Sequence, residues 1–230
     1  MRIQYLDPNQ PEQDFPALEQ ALTEPNGLLA IGGCLSPQRL VNAYRHGVFP
    51  WFNPGEPILW WSPNPRLVLF PDKLNISRSL QKTLRKQTFE VRYDYAFDQV
   101  MQACSAPRRE QGGTWITADM KQAYHRLHQQ GIAHSVETWQ DGELVGGLYG
   151  IAIGRVFFGE SMFHRVSDAS KVAFANLVGQ LGAWGYRMID CQVSSDHLFS
   201  LGAEEIPRAE FAALLKELCS QWPEPAAWQT

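Results

Sequence analysis

The segment Glu143-Leu-Val-Gly-Gly-Leu-Tyr-Gly-Ile-Ala-Ile153 predicts the central strand of a β-meander. Asp141-Gly142 before it and Gly154 after it are typical of tight turns between strands. The flanking stretches 132–139 and 155–158 are rich in β-branched and aromatic residues, which favour strands. The chain is therefore expected to contain a sheet built from consecutive strands.

Helices and further strands surround this meander. The pattern predicts strands at 66–70, 88–93 and 187–193, and helices at 77–87, 95–104, 117–130, 167–184 and 207–219. Adjacent strands followed by a long helix and another strand imply an α+β layer with helices on both faces of the sheet.

Residues 1–62 are expected to form a small, irregular N-terminal domain, packed on a larger domain at 63–230. Ser36-Pro37 resembles a helix N-cap followed by a favoured first-turn proline, which opens a helix that ends near His46. Five prolines between Pro50 and Pro65 exclude a regular helix there, so this stretch is expected to link the two parts.

Composition bounds the class of protein. No run of about 18 apolar residues is present, so no membrane span is expected. The N-terminus lacks the apolar core of a signal peptide. The four cysteines are far apart and form no CxxC pair, which is simplest to explain as free thiols in a reducing cytoplasm.

The net charge of −4 hides a basic region. Between Arg66 and Arg109 there are nine Lys or Arg against four acids, a local charge of +5 that leaves −9 for the rest. On the helix predicted at 77–87, two leucines fall opposite a row of cations, and no acid lies between residues 73 and 89. This basic ridge comprises Arg78, Lys82, Arg85 and Lys86. An ordinary solvated face is the alternative, but unrelieved repulsion favours a polyanion partner.

The segment Arg187-Met-Ile-Asp-Cys-Gln-Val193 places an acid in an apolar, strand-like run. In a strand, Asp190 and Gln192 project to one face and Cys191 to the other. Burying a carboxylate there costs several kcal/mol unless it has a partner or a task. A structural aspartate at a strand end is the alternative explanation.

Several common catalytic signatures are missing. The sequence contains no GxSxG, no phosphate loop and no GxGxxG, which argues against a nucleophile-elbow hydrolase or a dinucleotide site. His125 and His128 stand three positions apart on a predicted helix and are a possible metal pair. Solvent-facing positions of an amphipathic helix explain them better, because no third ligand stands at a recognisable spacing. We therefore expect no metal. The residues alone favour an acyl-transfer or tRNA-contacting enzyme.

Six longer strings are more specific than any of these motifs. They are Glu24-Pro-Asn-Gly-Leu-Leu-Ala-Ile-Gly-Gly33, Tyr44-Arg-His-Gly-Val-Phe-Pro-Trp-Phe52, Leu59-Trp-Trp-Ser-Pro-Asn-Pro-Arg66, Gly113-Thr-Trp-Ile-Thr117, Phe158-Gly-Glu-Ser-Met-Phe163 and Ile189-Asp-Cys-Gln-Val193. Together and in this order, from about Gly27 to Arg208, they resemble the leucyl/phenylalanyl-tRNA–protein transferase family.

The resemblance implies an activity and a fold. Such enzymes move Leu or Phe, and less readily Met, from aminoacyl-tRNA to an N-terminal Arg or Lys of a protein, which marks it for N-degron degradation. The implied fold is a small N-terminal domain on a GCN5-related N-acetyltransferase-like (GNAT-like) domain. Gly159-Glu-Ser-Met162 replaces the turn that holds coenzyme A pyrophosphate in true acetyltransferases, so no cofactor is expected.

The resemblance also assigns roles to residues. Asp190 and Gln192 match the catalytic acid and amide, and the basic ridge matches the surface for the tRNA acceptor stem. The residues expected to bind the terminal adenosine and the aminoacyl group are Tyr44, Trp51, Trp115 and Glu160, and those expected to line the side-chain pocket are Leu148, Phe157 and Met162. Leu177 and Leu181 stand where some members carry Phe, which bears on pocket depth.

An aminoacyl ester is already activated, so neither a metal nor a covalent intermediate is required. The hypothesis is that Gln192 positions Asp190, and that Asp190 orients the acceptor amine and takes charge or proton as the bond forms. This requires both side chains to share an accessible pocket. Two alternatives remain: a coenzyme A-dependent N-acyltransferase with an incidental ridge, and a non-catalytic RNA-binding module that stacks bases on Trp51 and Trp115.

Overall fold

The structure is a computed structural model that describes residues 3–106 and 114–229. Its N-terminal part contains a four-stranded sheet in the order β1-β2-β4-β3. Its strands are β1 Gln4–Leu6, β2 Leu28–Gly32, β3 Phe49–Pro50 and β4 Leu59–Trp61. Strand β1 pairs parallel to β2, and the other pairs are antiparallel.

A seven-stranded sheet forms the centre of the larger part, in the order β11-β5-β10-β9-β8-β7-β6. Its strands are β5 Arg66–Leu69, β6 Glu90–Tyr93, β7 Ala133–Gln140, β8 Glu143–Ile153, β9 Val156–His164, β10 Met188–Gln192 and β11 Glu204–Ile206. Strands β9 and β10 run parallel and the other pairs are antiparallel. The meander β7-β8-β9 therefore continues into β10 through a crossover helix.

The helices are α1 Pro37–Arg45, α2 Arg78–Lys86, α3 Phe97–Cys104, α4 Ala118–Gln129, α5 Ala169–Ala183, α6 Asp196–Ser200 and α7 Arg208–Leu218. Three of them begin at side-chain caps, where Ser36, Ser77 and Thr117 each accept a hydrogen bond of 3.2 Å from a backbone N–H three residues on. These caps satisfy donors that a helix start leaves free, which fixes where each helix begins.

Two apolar cores cover the two faces of the large sheet. Helices α3, α4 and α7 and the N-terminal sheet pack on one face. Helices α2 and α5 pack on the other. We call the first the interdomain face and the second the α5 face. The interdomain core includes Leu40 and Tyr44 of α1 as well as Val68 and Phe158 of the large sheet, so the N-terminal part shares its core with the larger part.

The predicted α+β architecture with a separate N-terminal region is confirmed, and the predicted helices and strands of the larger part are found within a few residues. Three expectations need correction. The N-terminal part is a regular sheet, and the proline-rich stretch contributes β3 and β4 to it. Strand β9 extends to His164 because it pairs with β8 from Ile153 back to Gly146. The cations at 108 and 109 lie outside the described residues. Within the described part of the chain, no helix is long and apolar enough to cross a bilayer.

Candidate active site

A β-bulge directs Glu160 toward the interdomain face. Tyr149 of β8 pairs with Ser161 and Gly150 pairs with Gly159, so Glu160 has no partner on β8. An extra residue in one strand breaks the alternation of the pleat and re-aims a side chain. The half-buried Glu160 carboxylate consequently meets side chains from α1 and α4.

Three side-chain donors surround this carboxylate. The Tyr44 hydroxyl donates to Oε1 at 2.7 Å and the Tyr124 hydroxyl donates to Oε2 at 2.9 Å. The side-chain amide of Gln192 donates to Oε1 at 2.8 Å. The two tyrosine hydroxyls also lie within hydrogen-bond distance of each other, but each has a single proton, so while both donate to Glu160 neither donates to the other. Glu160 thus joins α1, α4 and the end of β10.

The same surroundings change the proton affinity of these groups. Burial raises the pKa of Glu160 to about 7, and the nearby Asp190 charge raises it too, while the three hydrogen bonds oppose the shift. Burial and the Glu160 charge raise the pKa of Tyr44 and Tyr124 well above the usual value, so both remain donors. Glu160 can therefore exchange a proton near neutral pH.

Asp190 forms an ion pair with Arg66 of the neighbouring strand β5. The guanidinium donates from Nε to Oδ1 at 2.8 Å and from Nη2 to Oδ2 at 2.6 Å, and both residues are 0% exposed. The Arg66 guanidinium also lies over the rings of Phe49 and Phe211, 4.8 and 4.5 Å from their centroids. A bidentate, enclosed pair of this kind rigidifies the sheet.

Gln192 connects the ion pair to Glu160. A register shift follows Asp190, and Gln192 has a positive φ of 66°. Its backbone N–H donates to Asp190 Oδ1 at 2.9 Å while its side chain reaches Glu160. A left-handed non-glycine residue is strained, and such strain concentrates at functional sites. One hydrogen-bonded network, the interdomain network, therefore runs from Arg66 through Asp190, Gln192 and Glu160 to the tyrosines.

This geometry redistributes the roles expected of Asp190 and Gln192. The two residues are brought together, as expected for one face of a strand. The Asp190 carboxylate, however, is fully enclosed and both of its oxygens are bound by Arg66, so the expectation that it meets the amine directly is not supported. The other carboxylate of the network belongs to Glu160, a half-buried residue whose oxygens are bound by neutral donors. Arg66 and Tyr124 were not identified from the sequence; a second buried charge, Arg66 in an apolar strand, was the available signal.

The aromatic residues expected around an adenosine differ in exposure. Trp51, 47% exposed, follows β3, and its ring lies 5.9 Å from that of Trp61. Trp115 is half-buried against the interdomain core. Tyr44 is 0% exposed, so its hydroxyl contributes to the network while its face is not available for stacking. Gly113, part of the quoted Trp115 string, lies outside the described residues.

The expected pocket residues lie together on the α5 face. Leu148 pairs with Met162 across β8 and β9, and Phe157 pairs with Ile189 across β9 and β10. Leu148 and Phe157 are buried, Met162 is half-buried, and all three belong to the core that α5 covers. Leu177 and Leu181 of α5 lie in this same core.

The basic ridge is exposed along α2. Leu80 is buried and Leu84 half-buried against the α5-face core, while all four ridge cations face outward. Within residues 3–106 and 114–229, none of the four has a carboxylate at ion-pair distance. Three cations counted in the basic region are engaged elsewhere, because Arg66 binds Asp190, Lys73 binds Glu204 and Arg92 binds Glu90.

The start of α5 does not suit the pyrophosphate of coenzyme A. Gly159–Met162 lies within β9, and the turn before α5 ends at Asp168, whose carboxylate receives hydrogen bonds from Lys171 and Thr83. An acid at that helix start would repel a pyrophosphate. His125 is bound to Asp98 and His128 to a backbone carbonyl. The described part of the chain holds no group of three potential metal ligands.

Comparison with known proteins agrees with the quoted strings. The family model described as "Leucyl/phenylalanyl-tRNA protein transferase" matches residues 68–216, and that of its N-terminal domain matches residues 33–64. The chain belongs to the leucyl/phenylalanyl-tRNA protein transferase family.

Relatives with that printed name include one from Methylococcus capsulatus, 61% identical over 97% of this chain and 95% of the relative. Another, from Nitrosomonas europaea, is 65% identical over 89% of this chain and 86% of the relative. This transferase family therefore matches almost the entire chain.

Solved structures give weaker matches. A GCN5-related N-acetyltransferase from Kribbella flavida aligns over 70% of this chain and 58% of its own, with a TM-score of 0.34 and 13% identity. L-PGS from Bacillus licheniformis aligns over 59% of this chain and 49% of its own, with a TM-score of 0.42 and 12% identity. Scores this low say nothing about substrates.

Proposed function

We propose that this enzyme transfers Leu or Phe, and less readily Met, from aminoacyl-tRNA to the N-terminal Arg or Lys of acceptor proteins in the cytoplasm. The product would be a protein marked for N-degron degradation. The reaction joins the carbonyl of an aminoacyl ester to the free α-amine of the acceptor, and the 3′-hydroxyl of the tRNA leaves. We also propose that the chain divides into an N-terminal domain at 1–62 and a larger domain at 63–230, because it passes from the four-stranded to the seven-stranded sheet there.

The observation that carries the proposal is the carboxylate of the half-buried residue Glu160, which three neutral donors surround and whose pKa is raised to about 7. An α-amine has an ordinary pKa of about 7.7–8.0. A base with a pKa near that of the working solution is effective in taking the proton released as an amide bond forms. We assign Glu160 this role.

The rest of the interdomain network is assigned to positioning. Tyr44, Tyr124 and Gln192 each donate to Glu160, which fixes the direction of its remaining lone pairs. The Arg66–Asp190 pair fixes the end of β10, because Asp190 accepts from the Gln192 backbone. We assign Gln192 a place beside the reacting groups, as expected from the sequence. Asp190 is assigned the role of holding Gln192 in position.

The tRNA is assigned to surfaces on both sides of the sheet. Trp51 and Trp115 provide aromatic faces for the terminal adenosine, at about 1–3 kcal/mol for each stacked base. The unpaired cations of the basic ridge provide phosphate contacts, which position the acceptor stem without reading its sequence. The pocket residues Leu148, Phe157 and Met162 would receive the Leu or Phe side chain.

A transfer assay tests the proposal directly. Labelled Phe-tRNA is incubated with the protein and a peptide that begins with Arg, and the matched control peptide has an acetylated N-terminus. We expect label in the first peptide only, since the second lacks a free amine. A parallel reaction supplies acetyl-CoA instead of tRNA. Acetylation of the peptide without aminoacyl transfer would establish the coenzyme A-dependent alternative.

A further inference from the structure

Trp228 contacts the expected aminoacyl pocket from the C-terminal segment. It lies beyond residues 68–216, which the family model matches. Its ring stacks on that of Phe157, with centroids 5.8 Å apart and planes inclined by 24°. Phe157 is one of the residues expected to line the pocket, so a residue outside the matched region supports the pocket wall.

The indole of Trp228 is held firmly. Its Nε1 donates to the Tyr186 hydroxyl at 2.9 Å. Its ring stacks on His134 with centroids 4.0 Å apart and planes inclined by 11°, and it lies 4.9 Å from the ring of Trp184. His134 is itself bound to Asp94 at 2.7 Å. The position of Trp228 is therefore determined by side chains from β7 and from the segment after α5.

The segment that carries Trp228 is also fastened through its backbone. The Glu224 N–H donates to the Trp184 carbonyl at 2.9 Å. Arg155 donates from Nε to the Trp222 carbonyl at 2.9 Å. These two hydrogen bonds hold the segment around Trp222 and Glu224 against the α5 face of the large sheet.

Phe157 has a rigid neighbour at its distal edge. A Cβ at Gly150 would lie 2.6 Å from Cε1 and Cζ of the Phe157 ring and 2.3 Å from the Phe158 carbonyl oxygen. The ring edge therefore lies directly against the backbone of β8, which cannot yield. The stacking contact with Trp228 is a side-chain contact, and its removal would give the ring freedom to move.

We propose that Trp228 is a specificity-determining positioning residue, which fixes the Phe157 ring and thereby sets the depth of the pocket for the aminoacyl side chain. This rests on the proposed function. Loss of the indole leaves space beside Phe157, and a wall that can retreat admits a larger substrate side chain. Transfer of Phe should then gain relative to transfer of Leu.

Competition between Leu-tRNA and Phe-tRNA for one Arg-initiated peptide tests this proposal. We expect Trp228→Ala to raise the ratio of kcat/KM for Phe to that for Leu by about 3–10-fold. Trp228→Phe keeps a stacked ring and should return the ratio to within about twofold of the wild-type value. Trp222→Ala is the matched control, because Trp222 lies in the same segment and is 84% exposed; it should leave the ratio unchanged.

An unchanged ratio in Trp228→Ala, with both substrates slowed equally, would show a merely structural tryptophan and overturn the proposal. If the alanine variant does not fold, Trp228→Leu tests the same proposal. It keeps an apolar side chain but removes the ring that stacks on Phe157. The proposed function fails separately, if wild-type protein transfers neither amino acid.

Discussion

The two faces of the seven-stranded sheet use the same strands for opposite purposes. On the interdomain face, β9 and β10 contribute Glu160 and Asp190 to a hydrogen-bonded network. On the α5 face, the same two strands contribute Phe157 and Ile189 to an apolar core. The bulge at Glu160 lies only three residues after Phe157, so β9 contributes to both faces within a short stretch.

Within the interdomain face, two carboxylates have contrasting environments. Asp190 is enclosed and bound by a guanidinium, whereas Glu160 is half-buried and bound by neutral donors. A carboxylate paired with a cation stays ionised, whereas a buried carboxylate without a cation can exchange a proton near neutral pH. Asp190 is the first kind and Glu160 the second. The network therefore has a rigid end at Arg66 and a titrating end at Glu160.

The largest expected effect is at the titrating end. Glu160→Gln keeps the shape of the side chain but removes its basicity, so we expect aminoacyl transfer to slow by about 10²–10⁴-fold. Binding of Phe-tRNA should change little. Single-turnover rates and tRNA binding measure the two effects, with the exposed Glu143→Gln as control. Equal losses of rate and binding would assign Glu160 to substrate binding instead.

The next largest effect is expected at the Arg66 end of the network, where a substitution should lower the stability of the fold. Arg66→Met leaves the Asp190 charge buried without a partner, and we expect the free energy of unfolding to fall by about 3–5 kcal/mol. The double variant Arg66→Met/Asp190→Leu should recover most of that loss, since an apolar pair can replace a buried ion pair. Urea denaturation measures both.

Lys73→Met is the control for the buried pair, because its ion pair with Glu204 is exposed and should contribute about 0–1 kcal/mol. If the double variant also retains full transfer activity, the ion pair does not position Gln192. Asp190→Asn alone cannot decide this, because it too leaves a buried charge unpaired.

The basic ridge on α2 should contribute to tRNA binding through its charge alone. Replacement of Arg78, Lys82, Arg85 and Lys86 by Gln should reduce the salt dependence of tRNA binding. The slope of log K against log salt should fall by roughly 0.7–0.9 for each phosphate that is no longer neutralised, about 3 in all. Fluorescence titrations at several salt concentrations measure it. Lys216→Gln and Arg187→Gln, exposed cations outside the ridge, are the controls, and an unchanged slope would place the acceptor stem elsewhere.

The smallest expected effect is a pH dependence of stability. The pKa of Glu160 is raised to about 7 from its ordinary 4.5, so its contribution is fully present below pH 4.5 and is lost as the pH rises through 7. Wild-type protein should lose on the order of 1–3 kcal/mol relative to Glu160→Gln between pH 5 and pH 8. Urea denaturation at both values measures the difference. Parallel changes in both proteins would show that Glu160 is already ionised at pH 5.

Much of the fold could be predicted from local patterns. The cap at Ser36 is predicted correctly because a cap hydroxyl bonds within its own helix. The meander follows from alternation and turn residues. The N-terminal strands could not be predicted, because β2 and β4 are joined only through pairing of residues some 30 positions apart, such as Ile31 with Leu59.

The candidate site was predictable only in part. The quoted strings identified Glu160, Asp190 and Gln192 as important, but no pattern connected Asp190 with Arg66, 124 positions away. No pattern in the sequence distinguishes Tyr124 from the other buried residues of α4. Its hydroxyl acquires a role only because α4 packs beside the bulge at Glu160.

The sequence by itself determined the family and most of the order of helices and strands in the larger part. Periodicity, caps and ordered strings are properties of neighbouring residues, so they can be recognised along the chain. Only the tertiary structure decided that Asp190 is sealed by Arg66 while Glu160 stays half-buried among neutral donors. That division depends on burial and on distances between strands and helices far apart in sequence, and these set the energy of a charge.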